Sequence, residues 1–366
     1  MPFNNIYRSK KVLITGHTGF KGSWLSSWLI KLGADVIGIS KDVVSHPSNY
    51  EVASIGNIVQ DLRVDVTNLH ELKQVISSTK PDFIFHLAAQ ALVRNSYANP
   101  IDTFMTNTIG TINILESLKT IDKKVAVVMI TSDKAYDNSE WVWGYRENDK
   151  IGGKDPYSAS KGMAELAIRS YLYSFFSNKK SNIRIVSTRA GNVIGGGDWA
   201  EDRIVPDCVK AWSVNKTLEI RNPNATRPWQ HVLEPLSGYL LLGEMLYKDN
   251  FLHGEAFNFG PNADQNYSVK SLIEEMQKNW PEANWLDTSD DSETHEAGLL
   301  KLNCDKALNL LSWKSILSFE ETIKMTSEWY RLFYQEKNMP MLNFSISQID
   351  KYVQKARDKK LAWTHD

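Results

Sequence analysis

The chain has 366 residues, 42 basic against 43 acidic, for a formal charge of −1. That balance excludes partners held by bulk charge, such as nucleic acid or an anionic membrane surface, so any phosphate binding has to be local. An apolar share of 42 % supports a sizeable core, and the length fits a large α/β body with an appended lobe.

The polar, basic N-terminus leads straight into Val12-Leu13-Ile14-Thr15 rather than into a signal segment. The longest apolar run, residues 239–246, is far short of the ~20 residues of a membrane helix. Cys208 and Cys304 make neither a disulfide framework nor a zinc cluster. A cytoplasmic protein with reduced thiols and no metal is expected.

Five short runs rich in Val and Ile, at 12–15, 35–39, 83–87, 125–131 and 183–188, alternate with helical patterns. Their nearly continuous apolarity suits strands covered on both faces by helices. Between the first two, Trp24, Leu25, Trp28, Leu29 and Leu32 recur at helical spacing, which predicts a helix over 22–32 that Gly33 ends. The alternation predicts an α/β, doubly wound parallel sheet. After Gly191 the texture changes, with loops at Gly195-Gly196-Gly197 and Asn222-Pro223-Asn224 and one more strand at 257–260. The expected organisation is a nucleotide-binding domain over 1–193 with return segments near 231–260. A smaller, mainly C-terminal substrate lobe takes 194–230 and 261–345. A charged tail, 346–366, would form a surface helix or an oligomer contact.

The segment Thr15-Gly16-His17-Thr18-Gly19-Phe20-Lys21-Gly22 spaces its glycines as GxxGxxG between the first strand and the first helix. Gly16 permits a tight turn, Gly19 lets backbone approach a pyrophosphate, and Gly22 lets the helix pack close to the sheet. The helix N-terminus adds unpaired N–H groups and partial positive charge. The sheet is therefore expected to be a Rossmann domain, with residues 16–22 around a dinucleotide. The acid that holds the adenosine ribose in such domains is absent: residue 39 is followed by Ser40, Lys41 and Asp42. Ser40 can still bond a ribose hydroxyl, and Lys41 could attract a 2′-phosphate, so NAD and NADP both stay open. Asp65, with Val66 beside it, is the candidate for the adenine amino group.

Tyr157 and Lys161 in Pro156-Tyr157-Ser158-Ala159-Ser160-Lys161 share a helix face. A tyrosine with a pKa near ~10 is a poor base at neutral pH, and a nearby ammonium favours its phenolate. Thr131-Ser132-Asp133-Lys134 ends the run at 125–131, at the strand end where doubly wound folds place their chemistry. Ser132 can bond the reacting hydroxyl beside Tyr157. Asp133 and Lys134 add an acid/base pair that a simple dehydrogenase does not need.

To these motifs the chain adds His86-Leu87-Ala88-Ala89-Gln90, Asn107 with Gly110-Thr111, Arg189-Ala190-Gly191-Asn192-Val193 and Arg227-Pro228-Trp229-Gln230-His231-Val232. The whole order resembles the extended short-chain dehydrogenase/reductase family, in its nucleotide-sugar branch, over roughly residues 9 to 335. Gly19-Phe20-Lys21-Gly22-Ser23-Trp24-Leu25, the Ser-Asp-Lys triplet, Gly195-Gly196-Gly197-Asp198-Trp199 and His295-Glu296-Ala297 followed by Leu300-Lys301-Leu302 are most similar to 4,6-dehydratases of CDP-glucose.

The resemblance implies NAD as cofactor, with Ala88, Ala89, Gln90 and Asn107 beside it. It implies that Tyr157 takes the C4 hydroxyl proton while hydride passes to NAD. C5 is then alpha to a ketone; a base removes its proton, an acid protonates the departing C6 hydroxyl, and the hydride returns to C6. Asp133 falls at the acid position and Lys134 at the base position. The relatives that act on dTDP-sugars carry a glutamate where Lys134 stands. Lys134 therefore acts either as a base with a lowered pKa or as an electrostatic stabiliser of the enolate.

Arg227 is the candidate for the substrate pyrophosphate, because a guanidinium fork matches phosphate geometry. Asn192 would bind a phosphate or sugar oxygen, Arg203 would sit near the base or the phosphates, and Gln90, Arg94, Ser96 and Tyr97 would touch the hexose. Asn107 is expected to hold backbone or water, and His17 and His86 to be structural. His295 and Glu296 would close the site from the second lobe. The implied partners are a nucleotide-sugar substrate, CDP-glucose foremost, and a second or fourth copy of the chain through a bundle that includes the Tyr157 helix. Ala164, Leu166, Ala167, Tyr171 and Leu172 could be core or interface. The rival readings are a nucleotide-sugar epimerase, a dehydratase of a GDP- or dTDP-linked sugar, and a non-catalytic NAD-binding scaffold. The product would serve deoxysugar and O-antigen synthesis.

Overall fold

Seven parallel strands carry the molecule: β1 (Lys11–Thr15), β2 (Asp35–Ser40), β3 (Gln60–Arg63), β4 (Phe83–His86), β5 (Val125–Ile130), β6 (Ile183–Ala190) and β7 (Ala256–Phe259). The computed structural model describes residues 1–177, 182–289, 299–336 and 339–364. The strand order is 7-6-5-4-1-2-3. The chain builds outward from β1 through β2 to β3, then returns to the other side of β1 with β4. This reversal opens a crevice at the carboxyl ends of β1 and β4, where Thr15 lies opposite both Ile39 and His86. The strand β3 was not anticipated. Its Gln-Asp-Leu-Arg sequence has no apolar run, and it occupies the sheet edge, where a half-exposed strand needs none.

The helices that matter for the site are α1 (Phe20–Lys31), α2 (Leu69–Thr79), α3 (Gly110–Leu118), α4 (Pro156–Tyr171), α5 (Ile204–Trp212), α6 (Leu233–Lys248), α7 (Val269–Gln277), α8 (Phe319–Gln335) and α9 (Met341–Asp358). One core layer joins Trp24 and Trp28 of α1 and Leu236 and Leu240 of α6 to Val12, Ile14, Phe83 and Phe85 of the sheet. The opposite face packs Leu13, Ile37, Ile84 and Ile185 against Ile114, Leu115 and Ile168. The sheet is thus covered on both sides, as its apolar strands require. The run at 239–246 belongs to α6, buried on the sheet. No described helix is long and apolar enough to cross a membrane.

The lobe is formed by α5, α7 and α8 with two short strand pairs, Leu218–Ile220 against Trp285–Asp287 and Thr226–Arg227 against Tyr267–Ser268. The segment from 346, expected as a surface helix or an oligomer contact, continues a helix, α9, that starts at Met341, ends at Asp358 and packs on α1. Trp363 stacks on Phe3 with ring centroids 5.0 Å apart, and Trp28 and Tyr352 complete the aromatic cluster. The tail closes the core of the first domain.

Candidate active site

The glycine loop is held open by close backbone contacts. Gly16 has φ +76°, and a Cβ there would lie 2.8 Å from the Ala88 nitrogen. A Cβ at Gly22 would lie 2.1 Å from the Gly16 carbonyl oxygen. Side chains at either position would force apart the loop, the first turn of α1 and the segment after β4. Thr15 fastens that segment, its Oγ1 accepting from the Leu87 and Ala88 nitrogens at 3.1 Å each. Gly19 caps α1 without a side-chain hydrogen bond, so no capping side chain claims the first N–H groups. This cradle fits a pyrophosphate.

At the adenosine end the polar groups satisfy one another. His17 turns away from the loop: it is fully buried, with Nδ1 3.0 Å from Ser40 Oγ and Nε2 2.9 Å from Asp61 Oδ1. Burial lowers its pKa. Asp61 also accepts from Arg63 at 2.8 Å. Ser40 Oγ accepts from the Thr18 nitrogen at 3.3 Å. Lys41 pairs with Asp65 at 3.4 Å, and Asp65 accepts from the Thr67 nitrogen at 2.9 Å. Val66 is buried against Gly110. The acid linked to Ser40 through His17 is therefore Asp61, on β3; sequence reasoning missed it along with its strand. His86 bridges Thr15 at 2.8 Å and Thr111 at 3.1 Å, and burial brings its pKa down to about 3.

The reaction end assembles at the carboxyl edge of β5. The start of α4 is set by Asp155, which accepts from the Ser158 nitrogen at 2.9 Å, with Pro156 in the first turn. This brings Tyr157 and Lys161 to the Ser132-Asp133 turn, and all four are buried. Ser132 Oγ donates to Asp133 Oδ1 at 3.0 Å, accepts from the Lys134 nitrogen at 3.2 Å, and hydrogen-bonds the Tyr157 phenol.

Burial pushes the Tyr157 phenol up to about 12; Ser132 and Arg203 pull it down and Asp133 raises it. Arg203 thus adds a second cation to Lys161, which shares the helix of Tyr157. Lys161 is lowered to about 8 by burial and by the Lys21 charge, with Glu165 opposing. Lys21 is also lowered to about 8 by burial, with Asp133 opposing and Arg203 contributing. Arg203 is anchored by Asp198 at 2.6 Å, whose backbone nitrogen donates to the Tyr330 hydroxyl of α8 at 3.0 Å.

Beneath the turn, Glu165 of α4 and Arg189 of β6 form a buried two-point ion pair at 2.8 and 3.0 Å. Arg189 also donates to the Tyr136 hydroxyl at 2.7 Å and the Glu147 carbonyl at 2.9 Å. Arg189 was visible as part of a motif; Glu165, one turn after Lys161, was not singled out. Two recesses flank the turn. Lys134, Asn138, Asp155 and Ser158 line one, and Asp133, Gly191, Pro228 and Leu302 the other.

The remaining candidates divide. The Gln90 amide is taken by the Leu92 carbonyl and Thr103, both at 3.0 Å. Ser96 donates to Val93 and accepts from the Tyr157 nitrogen at 3.2 Å. Both were expected to touch the hexose; here they fasten the loop that supports Tyr157. Asn107 ties Gln90 to Ser160 at 2.9 Å. Arg94 pairs with Asp202 at the rim. Tyr97 is exposed. Asn192 takes a left-handed backbone with φ +47°, its carbonyl accepting from the Gln230 nitrogen at 3.1 Å. In the Arg-Pro-Trp-Gln-His-Val run, Trp229, Gln230 and His231 are buried, and Gln230 ties Gly191 to Phe259. Arg227 is half-buried, donating to the Thr226 carbonyl at 2.8 Å. His295 and Glu296 lie outside the described residues.

A family model described as GDP-mannose 4,6 dehydratase matches residues 13–326. Over 339 residues the chain is 44 % identical to CDP-glucose 4,6-dehydratase of Salmonella typhimurium, covering 92 % of this chain and 94 % of that one. It is 25 % identical over 347 residues to UDP-glucose 4-epimerase of Mycoplasma pneumoniae, covering 88 % and 97 %. The fold matches the crystal structure of dTDP-glucose 4,6-dehydratase from Bacillus anthracis with a TM-score of 0.74 at 21 % identity, over 91 % of this chain and 100 % of that one. Because the match runs through the lobe as well as the dinucleotide fold, the chain belongs to the GDP-mannose 4,6 dehydratase family of extended short-chain dehydrogenases/reductases.

Proposed function

We propose that this protein is an NAD-dependent 4,6-dehydratase that converts CDP-glucose to CDP-4-keto-6-deoxyglucose and water. The observation that carries the reading is the turn that sets Asp133 beside Ser132 and Tyr157, with Lys134 next in the chain. The 44 % identity to a CDP-glucose 4,6-dehydratase supports it. An epimerase needs Tyr157 and Lys161 but no acid and second cation at 133 and 134. A scaffold needs none of the four.

The glycine loop, the unclaimed first turn of α1 and the Tyr157–Lys161 helix fit NAD, which when bound accepts hydride from hexose C4 and returns it to C6. Lys41 and Arg63, which flank the adenosine end, are each already paired with a carboxylate, at 3.4 and 2.8 Å. This favours the ribose hydroxyl over a 2′-phosphate. We assign Lys161 to the nicotinamide ribose and Arg227 to the substrate pyrophosphate.

The proton balance explains the Ser132 contacts. Overall, the C4 hydroxyl loses a proton and the leaving C6 hydroxyl gains one. Tyr157 receives the first and Asp133 gives the second. Ser132 touches both groups: its hydroxyl donates to Asp133, and it pulls the Tyr157 pKa down. It thus links the group that receives the C4 proton to the group that supplies one to the leaving hydroxyl. Lys134 lines the other recess, and we assign it either the removal of the C5 proton and its return to C5 once C6 has received hydride, or the stabilisation of the enolate.

We read the protein as cytoplasmic, consistent with free Cys208 and Cys304. Exposed Ile101, Met163, Leu166, Tyr173 and Phe175, on α4 and neighbouring helical segments, support a homodimer through that face. A 4-keto-6-deoxy product is the substrate for a reductase or aminotransferase, as deoxysugar synthesis for an O-antigen requires.

The test is to incubate the purified protein with CDP-glucose, dTDP-glucose, GDP-mannose and UDP-sugars, with and without NAD, and to weigh the products. Loss of one water from CDP-glucose alone establishes the reading. No mass change with any substrate removes it and turns attention to epimerase assays on the same set.

A further inference from the structure

A single ion pair grips both ends of the turn that carries the reacting side chains. Ser132, Asp133 and Lys134 lie between Thr131, the residue after β5, and Tyr136, and each flanking side chain ends on one member of the buried pair. Thr131 Oγ1 donates to Glu165 Oε1. Arg189 donates to the Tyr136 hydroxyl at 2.7 Å. Glu165 and Arg189 meet through two contacts, at 2.8 and 3.0 Å. All four side chains are buried.

The two grips lead in different directions. Glu165 sits on α4, two turns beyond Tyr157, and also accepts from Ser187 of β6 at 3.2 Å. It thereby ties the helix that presents Tyr157 to β5 and β6, just before Ser132. Arg189 leads toward the lobe. Its partner Tyr136 donates to Asn258 Oδ1 of β7 at 2.9 Å, and the Asn258 amide donates to the Tyr145 and Asn303 carbonyls at 2.8 and 3.1 Å. The Tyr136 ring stacks on Tyr145 with centroids 5.0 Å apart. Tyr136 lines the recess of Lys134, and Leu302, next to Asn303, lines that of Asp133.

Stability alone does not account for the pair. Buried ions lose their hydration, and apolar side chains of similar volume are often as stable. An apolar filling could not hold two hydroxyl groups at opposite ends of one turn, because it lacks the directed bonds of a guanidinium fork and a carboxylate. We propose that Glu165 and Arg189 are positioning residues that register the two halves of the reaction separately. Glu165, through Thr131, sets Ser132 against Tyr157 for oxidation at C4. Arg189, through Tyr136, sets Asp133 and Lys134 for elimination across C5 and C6. The inference rests on the dehydratase reading.

The experiment separates the halves. Substitution in the pair itself strands a buried charge and can unfold the protein, so the grips are cut instead. Thr131→Val and Tyr136→Phe keep the side-chain shape and leave the pair in place. Wild type and both variants, loaded with NAD and in excess over CDP-glucose in deuterated water, are followed through one turnover. Oxidation is read as the absorbance of the reduced nucleotide, and elimination as deuterium entering C5. Tyr136→Phe should slow deuterium entry by about tenfold and leave nucleotide reduction within about twofold, since a small misplacement of a reacting group suffices for that. The reduced nucleotide then accumulates. Thr131→Val should slow nucleotide reduction by about tenfold, with deuterium entry falling in step. Parallel slowing of both steps by Tyr136→Phe, unchanged deuterium entry in it, or unchanged nucleotide reduction in Thr131→Val would each overturn the proposal and leave the pair a structural brace. Each variant tests its own half, so loss of one to misfolding leaves the other decisive. If the wild type removes no water from CDP-glucose, the dehydratase reading falls and the proposal with it.

Discussion

The two ends of the dinucleotide groove are built on opposite electrostatic plans. At the adenosine end the charges are paired, Lys41 with Asp65 and Arg63 with Asp61, and His17 hydrogen-bonds Asp61. At the reaction end Lys21, Lys161 and Arg203 crowd around Asp133 and Tyr157, with Asp198 bound to one of them. The first region is complete without ligand. The second carries unbalanced positive charge that a bound substrate and a developing phenolate or enolate relieve. A binding end can be optimised for stability, whereas a reaction end must keep groups poised between protonation states.

The largest effect should come from Tyr157→Phe. It removes the group that receives the C4 proton and should lower kcat by about a thousandfold, within the range for a lost general base. NAD affinity should stay within a few-fold of wild type, and a parallel collapse of binding would make the residue a cofactor contact instead. Next, Lys134→Gln should slow elimination by about a hundredfold while sparing C4 oxidation. Solvent deuterium wash-in at C5 should fall accordingly, and unchanged exchange would remove Lys134 from the C5 step.

A third contrast concerns stability and pH. The Lys161 pKa is depressed in the folded protein, to about 8 from 10.5. The folded state therefore resists protonation more than the unfolded one, and the penalty is fully present below pH 8. It fades as pH rises from 8 through 10.5. Lys161→Met should accordingly raise stability at pH 7 by about 2 kcal/mol, since each tenfold loss of proton affinity on folding costs roughly 1.4 kcal/mol and local relaxation recovers part of the total. The same substitution should destroy activity. Denaturant titrations should show the two proteins converging as pH approaches 10.5. A variant less stable than wild type at pH 7 would mean that the reaction end is not strained.

The smallest effect belongs to the adenosine end. Asp61→Asn breaks a satisfied network and should cost about 1 kcal/mol of stability. It should change kcat by less than about twofold, since no proton or hydride moves there. A large loss of kcat without loss of NAD affinity would erase the distinction between the two ends.

Much of this molecule is decided locally. The apolar runs of β1, β2, β4, β5 and β6 can only be buried strands, and GxxGxxG between β1 and α1 leaves little choice of ligand class. Four-residue spacing puts Tyr157 and Lys161 on one helix face wherever that helix lies. These properties depend on neighbours in the chain, so the sequence alone determines them.

Other properties depend on distant segments meeting. β3 is held by pairing with β2 rather than by its own apolarity, and with it came Asp61. Gln90 and Ser96 have the chemistry of sugar-binding residues but are used up by Leu92, Thr103, Val93 and Tyr157. Lys161 was the expected partner charge for Tyr157, and Arg203 joins it, because the lobe delivers it through Asp198 and α8. Electrostatic effects follow distance through space. Only the tertiary structure could show that Arg203, from the lobe, acts on the phenol, and that Lys21, from the cofactor loop, acts on Lys161.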